Sequence, residues 1–114
     1  MSSAKKPNNK VYIAGPMTGL PNYNFASFDR AAERLKARGL EPQNPAEIGR
    51  KWLAEHGYRE PNKSEYGEQL SARRELLREC RTIYLLRGWQ NSNIALYELS
   101  YALILGAKVE LEGE

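Results

Sequence analysis

Short apolar runs alternating with stretches of helical periodicity constrain this chain more than any other feature. VYIAG at residues 11–15 is rich in β-branched and aromatic side chains and stops at Gly15-Pro16, which reads as a buried strand entering a sharp loop. TIYLL at 82–86 and AKVELE at 107–112, just after Gly106, read as two further strands. After the first strand, Phe25, Phe28, Ala32 and Leu35 recur at helical spacing, with Asn24 placed to cap the start of a helix and Gly39 to end it. LEPQNP is a short extended piece limited by Pro42 and Pro45, residues 46–56 fit another helix, and HGYREPNKSEYG reads as an exposed loop. EQLSARRELLREC then carries Leu70, Leu77 and Cys80 at helical intervals, and a last, mostly apolar helix lies within residues 88–106. Alternation of this kind favours a parallel sheet covered on both faces, with ligands held where loops leave the carboxyl ends of the strands. The loops at 15–23 and 87–93 are therefore the ones to inspect.

Composition narrows the class. A chain of 114 residues, 41% hydrophobic and 27% charged, fits one modest core, with residues 1–9 as a loose tail and 10–114 as the domain. The net charge of +3 comes from 17 basic and 14 acidic side chains spread along the chain, a balance that suits an anionic small molecule and gives no reason to expect nucleic acid. Cys80 is the single cysteine, so no intramolecular disulfide framework exists, and MSSAKKPNNK lacks the apolar region of a cleaved signal. The longest apolar-rich run is broken by Glu98 and Ser100 and falls short of the roughly 20 residues that cross a bilayer. No membrane span is expected, and the expected location is cytoplasmic. His56, the only histidine, has no companions that would make a ligand set, so neither a metal nor a cofactor is expected. GPMTG lacks the G-x-x-x-x-G-K-[ST] pattern of a phosphate-binding P-loop.

Several residues near the two loops carry chemistry, and each has a plain structural alternative. Tyr12, Gly15, Thr18 and Gly19 sit at the end of the first strand, where Gly15-Pro16 could equally just turn the chain. Asn91 and Ser92 precede a helix whose free N–H groups suit a phosphate or sugar oxygen, and both are also ordinary capping residues. Trp89 could stack on a nucleobase or cover the core. Glu98 shares a helical face with Ile94, Tyr101 and Ala102, so it is either a buried glutamate pinned by a tyrosine or an arginine, or a carboxylate nucleophile. Arg73, Arg74, Arg78, Arg81 and Arg87 gather before the second loop. Arg74, Arg78 and Arg87 are candidates for binding phosphate, with a solvated face balanced by Glu75 and Glu79 as the alternative. Leu96, Leu99 and Leu103, opposite Glu98, could bury one side of the last helix in a partner subunit.

Taken in order, VYIAGPMTG, PNYNFASFDRAAERLKARG, PQNPAEI and CRTIYLLRGWQNSNIALYELSYALILGAKV resemble a small phage and bacterial branch of the nucleoside 2-deoxyribosyltransferase-like superfamily, over most of residues 10–110. The resemblance implies a single-domain flavodoxin-like or Rossmann-like α/β three-layer sandwich with a short parallel sheet. It also implies a homodimer or larger homo-oligomer, in the host cytoplasm if phage-encoded. The implied activity is cleavage or transfer at the N-glycosidic bond of a 2′-deoxynucleoside or its monophosphate. Glu98 would then be the nucleophile and Tyr12 the hydroxyl that orients it. Gly15, Pro16, Met17 and Thr18 would shape the base or sugar pocket, while Asn91 and Ser92 would meet sugar or phosphate. A carboxylate of this kind traps the cation-like sugar as an ester, as retaining glycosidases do. Relatives commonly carry acidic residues at the positions of Arg73, Arg81 and Gln90. With those acids gone, Glu98 lacks an acid partner, and a non-catalytic nucleotide-binding protein, a sensor or a sequestering protein, is the alternative on the same scaffold.

Overall fold

The computed structural model describes residues 8–113. Strands β1 (Lys10–Ala14), β2 (Glu41–Gln43), β3 (Thr82–Leu85) and β4 (Lys108–Leu111) alternate with helices α1 (Phe25–Ala37), α2 (Ala46–Glu55), α3 (Lys63–Arg78) and α4 (Asn93–Ile104). The sheet is wholly parallel, in the order β2-β1-β3-β4. Parallel neighbours need crossover connections, and the helices that supply them cover both faces, giving a three-layer α/β sandwich.

The two-residue period of β1 sorts the core. Val11 and Ile13 point to one face, where Phe28, Ala31 and Leu35 of α1 cover them. Tyr12 and Ala14 point to the other, against Leu77 and Cys80 from the α3 side and Ala95 and Ala102 of α4. The chain passes from β1 outward to β2 and then returns to the far side of β1 for β3. The carboxyl ends of β1 and β3 therefore flank the point where strand order reverses, which is where open α/β sheets bind ligands.

Three local expectations change. The extended piece at 40–45 contributes a paired strand, β2, aligned with Lys10–Tyr12 of β1. The region read as a loop up to residue 67 ends five residues earlier, because Asn62 and Glu65 form a reciprocal capping box that starts α3 at Lys63. Asn24 does not cap α1 through its side chain. Its backbone is left-handed, and its Nδ2 donates instead to the Pro16 carbonyl at 3.0 Å. Gly39, at φ 80, does follow the end of α1. Of the tail expected at 1–9, residues 1–7 lie outside the described residues. Asn8 and Asn9 are tied down, Asn8 donating to the Glu79 carbonyl and the Asn9 carbonyl accepting from Glu41. Among the described residues, no helix is long and apolar enough to cross a membrane.

Candidate functional site

Beneath the two loops, three elements bring polar groups into an otherwise apolar layer. Tyr12 stands in the middle of β1, Glu98 lies in the second turn of α4, and Arg73 lies in the third turn of α3, all three buried. The Tyr12 hydroxyl donates to Glu98 Oε2 at 2.5 Å. Arg73 Nε lies 3.1 Å from the same oxygen and 3.2 Å from the Tyr12 hydroxyl, while Nη2 donates to Glu98 Oε1 at 3.1 Å. Both carboxylate oxygens are thus held, and the ion pair is about 95% removed from solvent, each side chain keeping 5% exposure.

Burial pushes the Glu98 carboxyl up, and the Arg73 charge with the Tyr12 and Arg73 hydrogen bonds partly opposes it. Burial also raises the Tyr12 hydroxyl well above its ordinary value, helped by the neighbouring Glu98 charge. For Arg73, burial works against the cation, but Tyr12 and Glu98 outweigh it, so the guanidinium stays protonated. With Arg73 fully ionised at this distance, the pair is a matched charge couple.

Two adjoining clefts open above this layer. The wider one, about 390 Å³, runs between the β1 loop and the start of α4 and is lined by Pro16, Met17, Thr18, Tyr66 and residues 91–94. The narrower one, about 60 Å³, is mostly apolar and lies between the β1 loop, α2 and α3. Met17, Thr18 and Tyr66 border both. Arg73 lines the narrow cleft, whereas Glu98 lines neither. Glu98 borders only a gap of about 10 Å³ between α3 and α4, room for one water at most. The guanidinium therefore stands between the carboxylate and the cleft.

The sequence-derived candidates divide into three groups. Glu98 and Tyr12 meet directly. Pro16, Met17, Thr18, Asn91 and Ser92 all line the wide cleft, although the Ser92 hydroxyl is also engaged as the α4 cap, accepting from Ala95 N at 3.1 Å. Gly15, expected to shape the pocket, lines neither cleft: a Cβ there would lie 2.8 Å from Leu86 Cβ, so glycine is what lets the loop pass beside the end of β3. Trp89 packs on the core beside α4 and lines neither cleft.

The three phosphate candidates are not gathered at the loops. Arg74 and Arg78 turn toward α4 and donate to the Tyr97 and Tyr101 hydroxyls at 3.0 and 3.4 Å. Arg87 lies in a separate groove with Arg34 and Arg38, whose charges are matched by Glu112 and Glu110. The reason is rotational: Arg74 and Arg78 share one stripe of α3, and Arg73, one residue away, points to the sheet instead. Tyr23, Tyr66 and Gln69 border the narrow cleft and were not singled out from sequence. Tyr66, Gln69 and Arg73 are spaced by three and four along α3, a polar stripe that periodicity alone makes visible. Among the described residues, no group of three or more His, Cys, Asp or Glu side chains is placed to hold a metal ion.

Residues 9–111 match the family model described as "Domain of unknown function (DUF4406)", and the chain belongs to that family. No curated protein matches it.

Proposed function

We propose that this DUF4406 member is a nucleotide-binding protein that holds a deoxynucleoside or its monophosphate without breaking the glycosidic bond. The observation that carries this reading is the insertion of Arg73 between Glu98 and the cleft. A carboxylate nucleophile needs an oxygen aimed at the anomeric carbon, and the base it displaces needs a proton. Here both oxygens accept from Arg73 or Tyr12, and the residue nearest the carboxylate is a cation that stays protonated. Binding has better support. The first turn of α4 carries no acidic side chain, so its N–H groups and positive dipole end face the wide cleft without an internal counter-charge, which suits a phosphate or a sugar oxygen.

The Tyr12–Glu98 hydrogen bond favours a second reading, an N-glycosidase or deoxyribosyltransferase in which Tyr12 orients the Glu98 nucleophile once a substrate displaces Arg73. Calorimetric titration with deoxynucleosides and their monophosphates, paired with chromatography of the same samples for free base, separates the two. Saturable binding without base release is the expected result, and turnover lost in Glu98→Gln is the result that favours the enzyme. Self-association belongs to the same proposal: α4 exposes Leu96, Leu103 and Ile104, the last 83% accessible, as an apolar strip suited to a second copy.

A further inference from the structure

We infer that the narrow cleft is a base subsite that selects a heterocycle presenting a carbonyl edge, with Arg73 and Gln69 as the residues that read it. This rests on the nucleotide-binding reading above and adds which bases fit.

The walls suit a flat ring. Met17, Tyr23, Phe25, Pro45, Leu53 and Pro61 supply apolar surface. Gly49 gives Phe25 its seat, since a Cβ there would lie 3.0 Å from the Phe25 ring. Tyr23 is carried by three consecutive left-handed residues, Asn22, Tyr23 and Asn24, at φ 50, 54 and 60. Such backbone is costly for residues other than glycine and persists where surroundings enforce it, often beside ligands. The bond from Asn24 Nδ2 to the Pro16 carbonyl ties this lip to the β1 loop.

The polarity comes from α3. Tyr66, Gln69 and Arg73 face the cleft from successive turns. Glu98 and Tyr12 fix the Arg73 guanidinium through Nε and Nη2, which leaves Nη1 with only the Met17 sulfur at 3.6 Å, a weak acceptor. The donor aimed into the cleft is therefore rigid and unsatisfied by any strong acceptor among the described residues. A guanidinium only donates, so it pairs with a carbonyl or ring nitrogen and opposes an exocyclic amino group. Gln69, whose amide makes no side-chain hydrogen bond among the described residues, can accept from the ring N–H that flanks such a carbonyl. With Gln69 on the ring N–H and Arg73 on the carbonyl, that pattern fits 6-oxopurines and 4-oxopyrimidines, and it disfavours their amino counterparts in the same pose, where the amino donor would meet the Arg73 donor. Leaving two buried donors facing each other weakens binding roughly ten- to hundredfold.

The test is calorimetry of the whole protein with the monophosphates of deoxyguanosine, deoxyinosine, deoxyuridine, deoxyadenosine and deoxycytidine, repeated with Gln69→Leu and Arg73→Lys. Lysine keeps the charge opposite Glu98 but removes Nη1. The expected result is tighter binding of the oxo bases by at least tenfold, with the preference reduced in both variants. Equal affinity for all five, or a preference for amino bases, overturns the subsite while leaving nucleotide binding intact. No binding of any of them by folded protein overturns both. If Arg73→Lys fails to fold, the wild-type preference and its loss in Gln69→Leu decide the matter.

Discussion

Removing Arg73 while leaving Glu98 is the most informative perturbation of the buried layer. At about 4 Å between charge centres, an effective dielectric near 20 gives an attraction of about 4 kcal/mol, against a desolvation cost of several kcal/mol per ion. That attraction alone falls short of the cost for two ions, and the hydrogen bonds among Tyr12, Arg73 and Glu98 offset the remainder, so the pair as a whole is near neutral for stability while either member alone is strongly destabilising. Arg73→Met leaves a carboxylate 5% exposed with only the Tyr12 donor, and the expected loss is about 3–5 kcal/mol at pH 8. That is a large fraction of the 5–15 kcal/mol typical of a domain. Glu98→Leu, which strands the cation, should lose a similar amount. The double variant Arg73→Met/Glu98→Leu should be more stable than either single variant, short of wild type by about 1 kcal/mol for the acceptor lost to Tyr12. The pH dependence has a definite sign. Glu98 is raised from 4.5, so the folded state holds its proton more tightly than the unfolded chain. Its contribution is greatest below the unfolded value and is lost as pH rises through the folded one. In Arg73→Met the opposing charge is gone, so this decline should reach higher pH. Urea denaturation of the four proteins at pH 5, 6.5 and 8 measures all of this. A double variant less stable than both single variants, or an Arg73→Met protein as stable as wild type at pH 8, would mean that Arg73 does not neutralise a buried Glu98 charge.

Other consequences can be checked with the same methods. Glu65 is pulled down to about 2 by Arg59 and then by the Asn62 backbone N–H, so the stability that it lends is present above 4.5 and lost as pH falls toward 2. Glu65→Gln should flatten the acid limb of the denaturation midpoint plotted against pH. Tyr58, 74% exposed at φ 64, costs about 1–2 kcal/mol in left-handed backbone, of which glycine gives back about 0.5–1 as chain entropy, so Tyr58→Gly should stabilise by about 0.5–1 kcal/mol in urea titration. Gly15→Ala forces a Cβ to within 2.8–3.0 Å of the Leu86 side chain and should cost about 1–3 kcal/mol by the same titration. Light scattering should report a dimer or larger species that Ile104→Glu reduces to monomer, and a monomeric wild type would remove α4 as a self-association surface.

Legibility in the sequence followed the reach of each interaction. β1 and β3 were visible because burial on both faces leaves continuous apolar runs, VYIA and TIYL. β2 was legible only as an extended piece, since EPQ has no such run and is a strand because β1 pairs with it. The start of α3 was present as N-x-x-E at Asn62 and Glu65 but stood inside a polar stretch that resembles a loop. In the site, the family resemblance is what pairs Tyr12 with Glu98; helical spacing alone says only that Glu98 needs a tyrosine or an arginine beside it. The role of Arg73 did not follow in the same way. Six arginines run from Arg59 to Arg87, and only the rotation of α3 against the sheet decides that Arg73 turns inward while Arg74 and Arg78 turn to the α4 tyrosines. Helical spacing puts Arg73 in one stripe with Tyr66 and Gln69, and which stripe faces the sheet is settled by packing.

Intact-mass spectrometry of the protein incubated with deoxynucleosides and their monophosphates separates holding a nucleotide from reacting with it, because a Glu98 nucleophile would form a covalent deoxyribosyl ester. A protein that only holds its ligand keeps an unmodified mass under conditions where calorimetry shows the ligand bound. A deoxyribosyl adduct on the wild-type chain, absent from Glu98→Gln, would contradict it.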